Sequence, residues 1–169
     1  MALPTFGSSS PTTLKPTIPY GARIGYYVDA TTPTITELYN IKGASLPDPK
    51  LGVVEYGNLT EPTRLKLATR SKTIPALALT MEYDKAEFAA LKTIKNNQVD
   101  TASADYGKKI YFIVQIPKGV GESGSTMAKK VGFRCVITDM PEDNIEDSAQ
   151  KIHQYTINAE VETVTEEFI

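Results

Sequence analysis

The sequence predicts a mainly β fold: an antiparallel sandwich or barrel with one flanking α-helix, a long interface loop and extended terminal arms. Three observations carry this. Apolar and polar residues alternate at period two in five separate stretches, only one stretch repeats at helical spacing, and the later strand patterns are separated by short turns. Period two sends successive side chains to opposite faces, so each stretch reads as a half-buried strand. Strands joined by short turns pair antiparallel, and such sheets curl into sandwiches or barrels.

The elements follow in order. Residues 1–19 hold Pro4, Pro11, Pro16 and Pro19 and a single charge, Lys15. Proline fixes φ and removes donors, so this is an extended arm without a core of its own, and residues 20–169 form one β domain. Ile24, Tyr26 and Val28 mark the first strand. A hairpin is expected around 34–41 and 50–56, inside a weakly patterned loop of about 40–72 that contains Pro47, Pro49 and Pro62. A loop that long in a small domain is often functional or interface-forming. Residues 73–83 form the next strand, with Leu77, Leu79, Met81 and Tyr83 on one face.

The helix is expected over about 84–97. Asp84 and Glu87 have the spacing of a capping box, Tyr83 and Phe88 that of a hydrophobic staple, and Phe88, Leu91 and Ile94 form a narrow apolar stripe. Strands then follow with Ile110, Phe112, Val114 and Ile116, with Val131, Phe133, Cys135 and Ile137, and, over 153–164, with Tyr155, Ile157, Ala159 and Val161.

Composition excludes several chemistries. A formal net charge of -2 over 169 residues does not suit a protein that coats nucleic acid. The one cysteine, Cys135, rules out an internal disulfide and sits on an apolar face, where a buried thiol is the ordinary reading. The one histidine, His153, cannot supply a His-rich metal site. KGVGESGST at 118–126 carries the G-x-G-x-x-G spacing, but a strand pattern follows it where a phosphate site needs a helix N-terminus; it is a loop. Asn58-Leu59-Thr60 matches a glycosylation acceptor without any mark of secretion. No run approaches the ~20 apolar residues that span a bilayer, and the first residues lack the pattern of a signal peptide. A soluble protein made in a cytoplasm is the expectation, with no catalytic residues, cofactor or metal.

Charge is unevenly distributed. Residues 64–72 carry Arg64, Lys66, Arg70 and Lys72 without an acid, while the last ten residues carry Glu160, Glu162, Glu166 and Glu167 without a base. Complementary surfaces of this kind suit a self-associating subunit. The same four basic residues are the candidate inter-subunit interface. A second candidate surface is the polar face bearing Lys130, Arg134, Thr138, Gln154, Thr156, Asn158, Glu160 and Glu162.

The order of these parts resembles the tail tube (major tail) proteins of long-tailed bacteriophages, the siphophage type. The resemblance runs from about Gly21 to Ile169. It rests on LGVVEYGNLTEPTRLKLATRSK with Arg64 and Arg70, on Leu77-Ala78-Leu79-Thr80 and Tyr83-Asp84 before KAEFAALKTIKNN, and on KIYFIVQIP, VGFRCVITDMP and the acidic last strand. It implies a structural subunit: hexameric rings stacked into a hollow tube that conducts the DNA genome. The loop and the terminal arms would join the rings, and the polar face above would line the lumen. It further implies residence in the virion, assembly in the host bacterial cytoplasm, and tape measure, tail tip and tail terminator proteins as partners. Double-stranded DNA would pass without specific binding, and no membrane is involved. Tubes of contractile tails and secretion-type machines share the fold. A small ligand- or carbohydrate-binding β-barrel is the reading from another class; a carbohydrate binder commonly stacks sugar on tryptophan, and this chain has none.

Overall fold

Each alternating stretch forms a strand, and their apolar faces meet in one core. The computed structural model describes residues 3–4, 22–56, 65–117, 127–143 and 153–168. In chain order the elements are β1 (Arg23–Val28), β2 (Thr36–Leu38), β3 (Ile41–Ser45), β4 (Lys50–Tyr56), β5 (Leu65–Thr73), β6 (Leu77–Glu82), α1 (Lys85–Asn97), β7 (Ile110–Pro117), β8 (Met127–Asp139) and β9 (Gln154–Phe168). Seven strands make one sheet in the order β2-β1-β7-β8-β9-β6-β3, with every neighbouring pair antiparallel. The strands β4 and β5 form a separate two-stranded ribbon.

The connectivity forces the large sheet to curl. Its edge strands, β2 and β3, are separated in the chain only by Tyr39 and Asn40. Seven flat strands would hold those edges about 29 Å apart, whereas the step from Leu38 to Ile41 reaches at most about 11 Å. The bend is concentrated in the long strands. β8 and β9 change register between Arg134 and Cys135 and again between Ile137 and Asp139, and such bulges sharpen twist and curvature. Inside the curl lie Ile24, Tyr26, Leu38, Ile41, Leu77, Leu79, Met81, Phe112, Phe133, Tyr155 and Ile157, all buried.

Helix α1 closes one mouth of the curl. Asp84 accepts hydrogen bonds from the amides of Ala86 (2.9 Å) and Glu87 (3.0 Å), as an N-cap should. Tyr83 and Phe88 pack at 5.2 Å between ring centroids, and Phe88 meets Tyr155 edge-on at 4.9 Å. Phe88 and Leu91 are buried and Ile94 packs at the margin, so the predicted stripe is the face that docks. At the other end Gln98 Oε1 accepts from the Ile137 amide at 3.3 Å, beside a bulge where β8 leaves its regular ladder. Gly107, at φ 71, then turns the chain toward β7 with its amide donating to the Gln98 carbonyl.

The expected hairpin between 34–41 and 50–56 does not form. β2 pairs with β1, β3 pairs with β6, and β4 pairs with β5. The 40–72 segment therefore contains strands: β4 and β5 pair with each other, and β3 pairs with β6 beyond them. The strand expected over 73–83 spans Leu77–Glu82, because Thr73 ends β5 and Pro75 intervenes.

Candidate functional site

No cluster for chemistry is assembled among the described residues. No group of three or more His, Cys, Asp and Glu could hold a metal there, and no helix there is long and apolar enough to cross a membrane. Cys135 is fully buried, its Sγ donates to the Phe133 carbonyl at 3.3 Å, and burial pushes its thiol up to about 12. His153 Nε2 instead lies 3.2 Å from Glu142 Oε2, with its ring against Tyr83. The glycine loop 118–126 and the Asn58-Leu59-Thr60 triplet lie outside the described residues. The informative sites are surfaces.

The first is the β4–β5 ribbon. Leu51, Val53 and Leu67 are 54, 57 and 56 % exposed, among the most open large apolar residues of the described chain. The register sets Val53 opposite Ala68 and Val54 opposite Leu67, so Val53 and Leu67 belong to neighbouring rows and point to opposite faces of the ribbon. Where β5 carries extra residues against β4, Gly52 lets Thr69 approach: a Cβ there would sit 2.5 Å from Thr69 Oγ1. An isolated two-stranded ribbon is marginal in water, and this one shows apolar side chains on both faces. Of the basic candidates, Lys66 and Lys72 lie exposed on β5, and Arg70 belongs to the same strand. Arg64 lies outside the described residues. Reading the sequence for charge missed the ribbon's apolar residues. The alternation in KLGVVEY and LKLAT was the available signal.

The second surface is the side of the large sheet turned away from the core. On β9, Gln154, Thr156 and Asn158 stand opposite Glu82, Thr80 and Ala78 of β6, and Thr156 Oγ1 lies 3.4 Å from Thr80 Oγ1. Thr138 Oγ1 donates to the Asn158 carbonyl at 3.0 Å, and Glu160 is exposed. Glu162 gathers Lys109 Nζ at 2.6 Å and Arg134 Nη1 at 3.6 Å. The hydrogen bond from Lys109 holds the Glu162 carboxyl below its ordinary range. Arg134 also lies 6.0 Å from the Tyr111 ring centroid, and Tyr111 stacks on Tyr27 at 4.6 Å. Lys130 is placed differently. It is only 9 % exposed, in the row Arg23, Gln115, Lys130, Glu167 that crosses four strands. The structure thus brings Gln154, Thr156, Asn158, Glu160 and Thr138 together, ties Arg134 to Glu162, and sets Lys130 apart from them.

Comparison with solved structures matches this architecture over most of its length. A chain of the anti-feeding prophage baseplate, solved with six-fold symmetrisation, superposes with a TM-score of 0.66 at 11 % identity, covering 92 % of this chain and 98 % of that one. A chain of the sheath-tube complex of an extracellular contractile injection system, PVC, gives 0.59 at 14 % identity, with 96 % and 100 % covered. The SPP1 tail tube gives 0.61 at 13 % identity, with 91 % and 80 % covered. No protein-family model matches the chain, and no curated protein matches it by sequence. At these identities the likeness is one of architecture: a curled antiparallel sheet with one helix, the tail-tube fold.

Proposed function

We propose that this protein is the structural subunit of a phage tail tube of the siphophage type, forming hexameric rings that stack into a hollow tube for passage of the DNA genome. The observation that carries the reading is the β4–β5 ribbon, which exposes three large apolar residues together, Leu51, Val53 and Leu67, whereas the seven-stranded sheet buries most of its own. Exposed apolar residues grouped on one small element suit an interaction site, and residues pointing to both faces call for cover from two sides, as between successive rings. Lys66 and Lys72 on the same ribbon and the exposed Glu160 of β9 are the opposite charges that the proposal brings together between copies. Arg64 and Arg70 belong to this interface in the same proposal.

The polar face with Thr138, Gln154, Thr156, Asn158, Glu160 and Glu162 lines the lumen in this reading. Carboxylates there keep phosphate from adhering over a screening length of about 8 Å. Arg134 lies beside Glu162, which it shares with Lys109, and Lys130 is withdrawn from the surface. The role needs no catalysis. The partners are further copies of the chain, with tape measure, tip and terminator proteins at the ends.

A second reading, the tube of a contractile machine, is favoured by the likeness to the anti-feeding prophage and PVC chains. Electron microscopy and sedimentation of the concentrated protein test the common core of both. Rings or hollow tubes are expected. A species that stays monomeric or dimeric at high concentration contradicts them and favours a small binding barrel.

A further inference from the structure

Beneath the first turn of α1, at the mouth of the curl, a buried polar atom stands without a partner. Tyr155 is fully buried, and among the described residues its hydroxyl reaches no hydrogen-bond partner. Its ring is not free to turn toward one. Phe88 meets it edge-on at 4.9 Å and Tyr83 at 6.3 Å. Its backbone is paired with Met81 on one side and with Glu142 on the other. Burial pushes the Tyr155 hydroxyl up, and the charges of Glu87 and Asp84 push the same way, followed by Tyr26 and Tyr83. The hydroxyl therefore faces polar company that lies beyond direct reach. Glu87 stands on the first turn of the helix and Tyr26 is a buried residue of β1 that shares a hydrogen bond with Thr36. Asn40 Nδ2 donates to Glu87 Oε2 at 3.4 Å, and Asn40 belongs to the link through which the edges of the sheet return to each other.

A buried hydroxyl left dry loses its hydration without return, and a phenylalanine would fill the same place without that cost. Polar groups that face each other from beyond hydrogen-bond distance are commonly joined by water, and a buried water is kept where it finds about two to four polar partners. We propose that this mouth is the binding site of a resident water molecule, which accepts a hydrogen bond from Tyr155 Oη and donates to the Glu87 carboxylate, with the Tyr26 oxygen as its second acceptor. The water joins β9 to α1 and, through the contact of Glu87 with Asn40, to the link between β2 and β3. The helix is then seated by its apolar stripe and by a wet polar contact at its first turn. This site belongs to the folded subunit and is independent of the tube reading.

The test compares the full dispersed chain with its Tyr155→Phe variant. Oxygen-17 relaxation dispersion of the solvent counts the waters that stay bound longer than the protein takes to tumble, and the variant is expected to hold one fewer. Its thermal midpoint is expected to fall by roughly 2–4 °C, as for the loss of a single buried hydrogen bond. An unchanged water count overturns the site, and so does a variant that melts above wild type, because the hydroxyl would then be a dry orphan. A crystal structure of the wild-type chain decides without any substitution. Water within hydrogen-bond distance of both Tyr155 Oη and a Glu87 carboxylate oxygen is expected, whereas a direct bond between those two groups, or no water beside Tyr155 Oη, overturns the proposal.

Discussion

The seven-stranded sheet and the β4–β5 ribbon are built from similar alternating sequence, yet they end in opposite environments. In the sheet, Leu77, Leu79, Met81, Phe112, Phe133 and Ile157 lose essentially all contact with water. On the ribbon, Leu51, Val53 and Leu67 keep more than half of theirs. The sheet finds its cover within one chain, because its edges return to each other through Tyr39 and Asn40 and the helix closes the mouth. The ribbon stands in a sheet of its own, and its apolar residues Leu51, Val53 and Leu67 stay open; in the proposed reading another copy covers them. Alternation therefore reports that a strand has a face to bury, and says nothing about whose surface buries it.

If that contrast is right, damage to the two regions should separate stability from assembly. The largest loss of stability is expected from Phe133→Ala in the core, about 3–5 kcal/mol, read from denaturant unfolding of the dispersed subunit. Assembly should fail with it, because the fold fails. Asp84→Ala removes the cap of α1 and should cost about 1 kcal/mol, lowering the thermal midpoint while leaving assembly intact. Val53→Asp with Leu67→Asp should change the stability of the dispersed subunit by no more than roughly 0.5 kcal/mol, as exposed substitutions do. The same pair should nonetheless abolish rings or tubes by microscopy. Assembly of that double variant at the wild-type level would remove the ribbon from the interface.

The smallest effect concerns pH. Glu162 is held below its ordinary carboxylate range, chiefly by the hydrogen bond from Lys109. A depressed carboxyl contributes stability above its unfolded value and loses it as pH falls through the folded one. Wild type should therefore lose slightly more stability than Lys109→Ala as pH drops below about 4.5, with the two running parallel above that. Because Glu162 is exposed, the difference is expected to be small.

How much of this was legible beforehand follows the same division. Positions 24, 26, 77, 79, 81, 110, 112, 114, 131, 133, 135, 137, 155, 157, 159 and 161 were readable as one core, because alternation there is satisfied inside the chain. The helix was readable from Asp84 to its apolar stripe, since capping and stapling are local. The pairing of β3 with β6 and of β4 with β5 was not, because register between strands of irregular spacing depends on where the sheet closes. On β9 the bulge opposite Arg134 changes which residues face the core. Thr163 and Thr165, not Val164, continue the polar side beyond it, and no local pattern announces that step.

Amide hydrogen exchange on the dispersed and the self-associated protein tests the central claim most directly. The account predicts that amides of β4 and β5 gain strong protection on association, while those of β7 and β8, already deep in the curled sheet, change little. Equal exchange of the ribbon in the two states would show that its apolar surface remains open to water, and would contradict the account.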